Sequence, residues 1–227
     1  PDVAWTVYYH KILMTNIILD QLYTMNGTDM ERQDLAGEAY FMRAFSYFML
    51  ANLYGKPYHP ATANEDLCVP LNKEIGLSDK MMKRATNAAV YAQMEEDINK
   101  AIQCFKAIGG EKTIFRPNLP SAYLLASRIA LFQEKYDVTI LYCDSVFKVA
   151  TQPLYKLQEK KDHYFFSLAN KEILLSYGLT SLETHMKEDF RYTGNLVVSD
   201  DLLALYSEDD LRLTNYFKNT IGNQTRP

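Results

Sequence analysis

One stretch decides the fold of this chain: residues 34–60, DLAGEAYFMRAFSYFMLANLYGKPYHP. It is the longest continuous helical pattern in the sequence, because small and aromatic side chains recur at steps of three and four and so share one helical face. Small residues let a neighbouring helix come close, and aromatic rings fill the space around the contact. The residues on this face are Ala36, Ala39, Tyr40, Arg43, Ala44, Tyr47, Ala51 and Tyr54.

Two features of this stretch are unusual for a core helix. Arg43 interrupts the apolar face, and a guanidinium in such a place needs a carboxylate or a set of helix-end carbonyls as its partner. Gly55 is predicted to end the helix as a left-handed cap, and Pro57 and Pro60 prevent the helix from restarting. We therefore expect a paired arginine and a sharp helix end.

Helical patterns continue on both sides of this stretch. The first covers residues 2–25 and carries Asn16 on an apolar face, where an asparagine usually hydrogen-bonds a backbone group. Thr28 and Glu31 match a capping box that opens the long helix. Further helices are predicted over residues 86–108, 118–133 and 136–149.

The last predicted helix has a repeat signature. Tyr136, Thr139, Cys143 and Val146 follow the spacing of the second helix of a tetratricopeptide repeat (TPR), with Thr and Cys in place of the usual residues. The predicted fold class is therefore mainly all-α: stacked antiparallel helical hairpins in a TPR-like solenoid with long loops. The apolar run at residues 172–177 is predicted as a short strand, so at most this one short strand, and little or no further strand, is expected near 172–177.

The composition argues against several classes of function. The chain has 24 basic and 28 acidic residues without a Lys/Arg run, so no nucleic acid partner is expected. Its three cysteines and four histidines lack metal-ligand spacing, so we predict no metal and no cofactor. No P-loop or G-x-S-x-G occurs, and adjacent acids such as Glu95 and Glu96 point apart on a helix, unlike the facing carboxyls of glycosidases. We therefore predict that the chain is not an enzyme and has no catalytic residue.

Two loops have the composition of a sugar-binding site. Protein sites for sugars commonly lay an aromatic ring on a pyranose and use Asn, Asp, Arg or His to bond its hydroxyls. The chain has 17 tyrosines, many of which can equally fill seams between helices. The candidate carbohydrate-binding residues are Tyr58, His59 and Asn64 in the first loop, and His185, Phe190, Arg191, Tyr192 and Asn195 in the second.

The long helix also resembles a known family. Residues 37–48, GEAYFMRAFSYF, and 53–57, LYGKP, resemble the "aEArFlRAfyYf…LfGdvP" segment of the SusD/RagB-like outer-membrane lipoproteins. Further pieces agree with that family in order along the chain. They lie at residues 5–22, 91–101, 122–144, 172–177 and 198–212.

The resemblance implies an organisation. The chain is similar to the N-terminal TPR-like half of such a protein, expected as a single SusD-like domain over residues 1–227 and truncated at both ends. Helical repeats are expected at residues 2–150 and a loop-rich segment at 151–227. The family's glycan contacts come from variable loops that include the region after the strand at 172–177, which favours the second loop.

The resemblance also implies a function and a location. It implies a non-catalytic surface lipoprotein of the cell outer membrane, held by an N-terminal lipid anchor that this chain does not contain. Such a protein binds an oligosaccharide or polysaccharide and delivers it to a SusC-like TonB-dependent transporter. The alternative is a TPR-like scaffold that binds a protein or peptide and has no sugar role.

Overall fold

The structure is a computed structural model that describes residues 2–75, 82–110, 113–150, 154, 170, 172–177, 199–216, 219–221 and 224–226. Over these residues the fold is mainly helical, as predicted. The chain divides into two compact units, Pro1–Thr151 and Gln152–Pro227. The expected single domain over residues 1–227 stays a prediction.

The described residues of the first unit form a stack of five helices. They are α1 (Val3–Gln21), α2 (Asp29–Tyr54), α3 (Asn87–Ile108), α4 (Leu119–Phe132) and α5 (Tyr136–Val149). Each consecutive pair from α1 to α5 is in contact, with the most extensive contact between α2 and α3. The stacked helical hairpins predicted from the sequence are therefore present.

Local capping explains where α2 begins. The Thr28 hydroxyl accepts a hydrogen bond from the Glu31 backbone N–H at 3.2 Å, and the Thr28 N–H donates to Glu31 Oε2 at 2.7 Å. These bonds satisfy donors that the first helical turn leaves unpaired. The capping box predicted from the sequence is confirmed.

Small residues bring α2 and α3 together, as their pattern predicts. A Cβ placed on Gly37 would lie 2.7 Å from Phe105 Cε1 and 3.1 Å from Cys104 Cβ, so only glycine fits this contact without a shift. Ala39 and Ala44 are buried on the same helix. Because apolar burial stabilises by about 25 cal/mol per Å², this close seam contributes strongly to the fold.

The predicted end of the first helix is wrong by four residues. Helix α1 ends at Gln21 and not at residue 25. The Gln21 carbonyl accepts hydrogen bonds from the Thr24 N–H at 2.9 Å and the Thr24 hydroxyl at 2.8 Å, which tightens the chain into a turn. Gly27 follows with φ of 151°, a conformation that favours glycine.

Helix α5 differs from the other helices of the stack. It follows α4 after a tight break at Glu134, whose φ is 62°. Val146 is its one buried residue, whereas Leu141 and Phe147 are 65% and 63% exposed. Its apolar side chains thus lie largely on an uncovered surface.

The second unit contains short elements. Among its described residues these are α6 (Asp200–Leu203), α7 (Leu211–Tyr216) and an antiparallel pair, β1 (Asn219–Ile221) and β2 (Gln224–Arg226). The strand predicted at 172–177 is wrong, since these residues form turns and bends. The Asn170 side chain and carbonyl accept hydrogen bonds from the N–H groups of Glu172 and Ile173, which curls the backbone locally.

Candidate functional site

The first candidate loop starts where α2 ends, at Gly55. The φ of Gly55 is −87°, so the predicted left-handed cap is wrong. Glycine is needed here for space: a Cβ would lie 2.6 Å from the Ala51 carbonyl oxygen and 2.8 Å from Cys68 Sγ. The chain therefore leaves the helix in an extended conformation, close against the buried Cys68.

Tyr58, His59 and Asn64 lie together on this loop. The Tyr58 ring is half-buried and packs on Tyr91, with ring centroids 4.7 Å apart. The side chains of His59 and Asn64 are exposed. The His59 carbonyl accepts hydrogen bonds from the N–H groups of Thr62 and Ala63, so the loop folds into a compact turn. An aromatic ring and two exposed polar side chains thus share one turn of the chain.

Asp66 closes this loop and uses both carboxylate oxygens to do so. Its Oδ1 accepts a hydrogen bond from Lys56 Nζ at 2.5 Å, and its Oδ2 accepts one from the Thr62 hydroxyl at 2.6 Å. The bond from Lys56, followed by the one from Thr62, lowers the pKa of the Asp66 carboxyl. Asp66 therefore holds the loop in shape, whereas the side chains of His59 and Asn64 are exposed to solvent.

The second candidate loop lies in a part of the chain that the structure does not describe. His185, Phe190, Arg191, Tyr192 and Asn195 all lie outside the described residues. They therefore remain candidate residues predicted from the sequence.

A buried polar network joins α1, α2 and α3 and contacts the backbone of residues 72 and 74. Arg43 Nε and Nη2 donate to the two carboxylate oxygens of Asp97 at 2.8 and 2.6 Å, and Nη1 donates to Asn16 Oδ1 at 2.8 Å. The Asp97 side chain has no exposed surface. Burial acts to lower the pKa of Arg43, but the hydrogen bonds and charge of Asp97 outweigh it, so the pKa is raised. The predicted carboxylate partner of Arg43 is confirmed.

The same network holds the backbone of residues 70–74 on the helices. Asn16 Nδ2 donates to the carbonyls of Asn72 and Glu74 at 3.0 and 3.3 Å, which confirms the predicted backbone partner. The Tyr47 hydroxyl accepts from the Asn72 N–H and donates to the Asn72 carbonyl, while the Tyr9 hydroxyl donates to the Pro70 carbonyl. The loop is thereby fixed to α1 and α2 at several points.

The role of Asp97 was not predicted from the sequence. The available signal was its position, since it is a single carboxylate on the apolar face of α3 between Met94 and Ile98. A buried carboxylate requires a partner, and Arg43 is the matching cation on an apolar face. Each of these two residues is a charged side chain on an otherwise apolar helix face, and matching them would have predicted the Arg43–Asp97 ion pair.

Neither a metal site nor a membrane-spanning helix is found in the described part of the chain. No group of three or more His, Cys, Asp or Glu side chains there converges on a point where an ion could bind. Each helix over those residues is too short or too polar to cross a bilayer.

The stacked hairpins define a helical-repeat protein, and comparison with known proteins gives its family. A family model described as "Starch-binding associating with outer membrane" matches residues 1–131. The chain therefore belongs to the SusD-like family, as its resemblance implied. No curated protein sequence matches it significantly.

Solved structures agree with this assignment. A SusD superfamily protein from Bacteroides thetaiotaomicron is 26% identical, with a TM-score of 0.62 over 68% of this chain and 34% of its own. A protein named "Laminarin binding SusD-like protein" is 25% identical, with a TM-score of 0.55 over 64% and 30%. A SusD-like carbohydrate binding protein from Bacteroides vulgatus is 20% identical and shares the fold, with a TM-score of 0.76 over 92% and 46%. The chain thus spans less than half the length of each of these relatives.

Proposed function

We propose that this chain is part of a non-catalytic glycan-binding protein of the outer-membrane surface, which delivers oligosaccharides to a SusC-like TonB-dependent transporter. Family membership carries the proposal, because the family description joins starch binding to association with the outer membrane. A relative named for laminarin binding supports a polysaccharide ligand of the same general kind. The lipid anchor that would hold the protein at the surface is part of this proposal.

The first loop supports the proposal through its chemistry. Tyr58 offers part of an aromatic ring, and His59 and Asn64 offer exposed hydrogen-bonding groups on the same turn. An aromatic face beside directed polar groups suits the apolar and hydroxylated faces of a sugar. The helical stack is a fixed support for this loop, since a contact site on a fixed support loses little entropy on binding.

Binding to a glycan panel tests the proposal. We expect starch or laminarin to retard the 227-residue chain in affinity electrophoresis, and isothermal titration to give a dissociation constant for the matching oligosaccharide. Tyr58→Ala and Tyr192→Ala test the first and second loops, and Tyr23→Ala, at a side chain 86% exposed and outside both loops, is the matched control. Absence of binding to every glycan contradicts the sugar role, and release of shorter sugars contradicts the non-catalytic role.

The proposed transporter partner needs a separate test. We expect the membrane-anchored protein to co-purify with a TonB-dependent transporter after mild detergent extraction. Recovery of the protein without any such transporter, in a preparation that keeps its glycan binding, contradicts the delivery role alone.

A second candidate function is a scaffold that binds a protein or peptide. Its support is the exposed apolar surface of α5, next to a pocket of about 220 Å³ between α3, α4 and α5. Ile98 and Ile129 line this pocket, while an ion pair between Lys135 and Glu95 lies at its edge. Peptide binding that is lost in Leu141→Asp, without any glycan binding, would favour this function over the first.

A further inference from the structure

A polar cleft lies between α1, α2 and the segment of residues 72–75, whose backbone accepts hydrogen bonds from Asn16. Its volume is about 470 Å³, within the range of roughly 300–1,000 Å³ that small-molecule sites occupy. It is separate from the Tyr58 loop, because Arg43 and Gly55 are roughly 18 Å apart along α2 at the helical rise per residue. The lining residues are Asn16, Leu19, Asp20, Arg43, Lys73, Glu74 and Ile75.

The floor of this cleft is preorganised. Arg43 is held by Asp97 on one side and by Asn16 on the other, and its side chain is only 11% exposed. Asn16 is itself fixed by the carbonyls of Asn72 and Glu74. A polar group that is already immobilised loses little further freedom when a ligand binds, so its hydrogen bonds contribute more to affinity.

The floor also retains hydrogen-bonding capacity. A guanidinium carries five N–H donors, and the bonds from Arg43 to Asp97 and Asn16 use three of them. The remaining two belong to the terminal nitrogens of a side chain that lines the cleft. A ligand oxygen can therefore bind there without breaking the buried ion pair.

The rim provides both donors and acceptors. Lys73 contributes an ammonium group, and Asp20 and Glu74 contribute carboxylates, all three on exposed residues. Asp20 uses its Oδ2 to accept from the Gln21 side chain, which leaves Oδ1 as an acceptor. Leu19 and Ile75 add apolar surface beside these groups.

The mixture of charges decides the class of ligand. A small anion would be repelled by Asp20 and Glu74, and a small cation by Arg43 and Lys73. A hydroxyl group donates one hydrogen bond and accepts others, so a neutral polyhydroxylated molecule can use the donors and the acceptors of the cleft together. Leu19 and Ile75 supply apolar surface against which the C–H face of a sugar ring can pack.

We propose that this cleft binds one unit of a neutral oligosaccharide, as a glycan contact site distinct from both candidate loops. This inference rests on the proposed glycan-binding function. It adds a site formed by α1, α2 and residues 73–75, where Arg43, Asp20 and Lys73 contact sugar hydroxyls.

Isothermal titration of the 227-residue chain tests the inference, with maltoheptaose and laminariheptaose as probes. Lys73→Ala and Asp20→Ala each remove one rim group from an exposed position, so the fold is retained and circular dichroism checks this. We expect each to weaken binding of the preferred probe by roughly 3- to 10-fold, the effect of losing one hydrogen bond. Lys148→Ala and Asp144→Ala, at exposed positions on α5, are matched controls and should leave the affinity unchanged.

The outcomes separate this inference from the function on which it rests. If the wild-type chain binds a probe and the Lys73 and Asp20 variants bind it equally well, the cleft is not a sugar site but the glycan-binding function stands. If neither probe nor any other neutral glycan binds the wild-type chain, both are overturned. Tighter binding of an acidic oligogalacturonide than of either neutral probe, lost in Lys73→Ala, would overturn the assignment to a neutral ligand.

Discussion

Helix α2 buries ten of its residues, whereas α5 buries one. Both were predicted from helical spacing of apolar and small side chains, but their surroundings differ. Helix α2 lies between α1 and α3, while the contacts of α5 among the described helices are mainly with α4. In a solenoid each repeat contacts only its neighbours, so a helix at the end of the described stack keeps one face open. The comparison shows that an apolar pattern predicts what a helix can bury, and that its position in the stack decides whether it does.

The largest contrast between the two regions is expected at the buried ion pair. Asp97→Ala leaves the Arg43 guanidinium buried without its carboxylate, which should cost about 3–5 kcal/mol of unfolding free energy. The matched change on α5, Asp137→Ala at an exposed position, should change it by less than about 0.5 kcal/mol. Urea unfolding followed by circular dichroism measures both. Equal effects would show that the Arg43 network does not distinguish the core from α5.

A pair of isoleucines tests the same contrast with identical chemistry. Ile98 on α3 is 1% exposed and Ile140 on α5 is 59% exposed. Ile98→Ala should destabilise by roughly 3 kcal/mol, because it removes buried methyl groups and leaves a cavity. Ile140→Ala should cost under about 0.5 kcal/mol in the same urea experiment. A large loss from Ile140→Ala would mean that its face is covered.

Alkaline pH should lower the stability of the helical stack, in part through Tyr47 on α2. Burial, more than any neighbouring charge, raises the pKa of Tyr47 from its ordinary value of 10.0 to about 12. Because the pKa of Tyr47 is higher in the folded state than in the unfolded state, its neutral form stabilises the fold. This contribution to the unfolding free energy is complete below the unfolded pKa and is lost as the pH rises through the folded pKa. The unfolding free energy should therefore fall between pH 10 and about 12, by an amount on the order of 2 kcal/mol.

Tyr47→Phe separates this effect from general alkaline denaturation. The variant cannot ionise at this position, so its stability should fall less steeply over the same pH window. Some loss should remain, because burial also raises the pKa of Tyr91 to about 12. Urea titrations at several pH values measure the slopes, and equal slopes for the variant and the wild type would contradict the assignment.

The smallest effect on stability is expected on the open face of α5. Leu141→Gln and Phe147→Gln should each change the unfolding free energy by less than about 0.5 kcal/mol, since both side chains are mostly exposed. They should nevertheless reduce the fluorescence of a bound hydrophobic dye, because they remove apolar surface that is open to solvent. Unchanged dye binding would indicate that α5 is not the exposed apolar surface of this protein.

Much of the fold was predictable from local signals. Three helices are capped by the residue that precedes them, namely Thr28, Thr86 and Asn118. Each cap is a hydrogen bond to a backbone N–H three residues later, so a short sequence pattern is enough to predict it. The prediction of a strand at 172–177 was wrong because strand formation is not decided by local signals. A strand needs a partner from elsewhere in the chain, and the backbone there finds hydrogen bonds with Asn170 instead.

The candidate site was predictable in composition only. Aromatic and polar residue types indicated Tyr58, His59 and Asn64 as candidates. The pattern could not show that the Asp66 carboxylate accepts hydrogen bonds from Lys56 and Thr62. Nor could it show which side chains around Arg43 enclose a cleft. These arrangements depend on how the loop after α2 folds back onto α1 and α2.

The sequence alone determined the five main helices, the N-caps at Thr28, Thr86 and Asn118, and the family, because periodicity and N-capping are local and the motif of residues 37–57 is continuous. Only the tertiary structure decided that Arg43 pairs with Asp97, 54 positions away along the chain, and that Asn16 bonds the backbone of residues 72 and 74. It also decided that Gly55 is needed for a close contact with Cys68 and not for a left-handed cap. The physical reason is that such contacts join segments distant in sequence, whose approach is set by the packing of whole helices and leaves no local pattern.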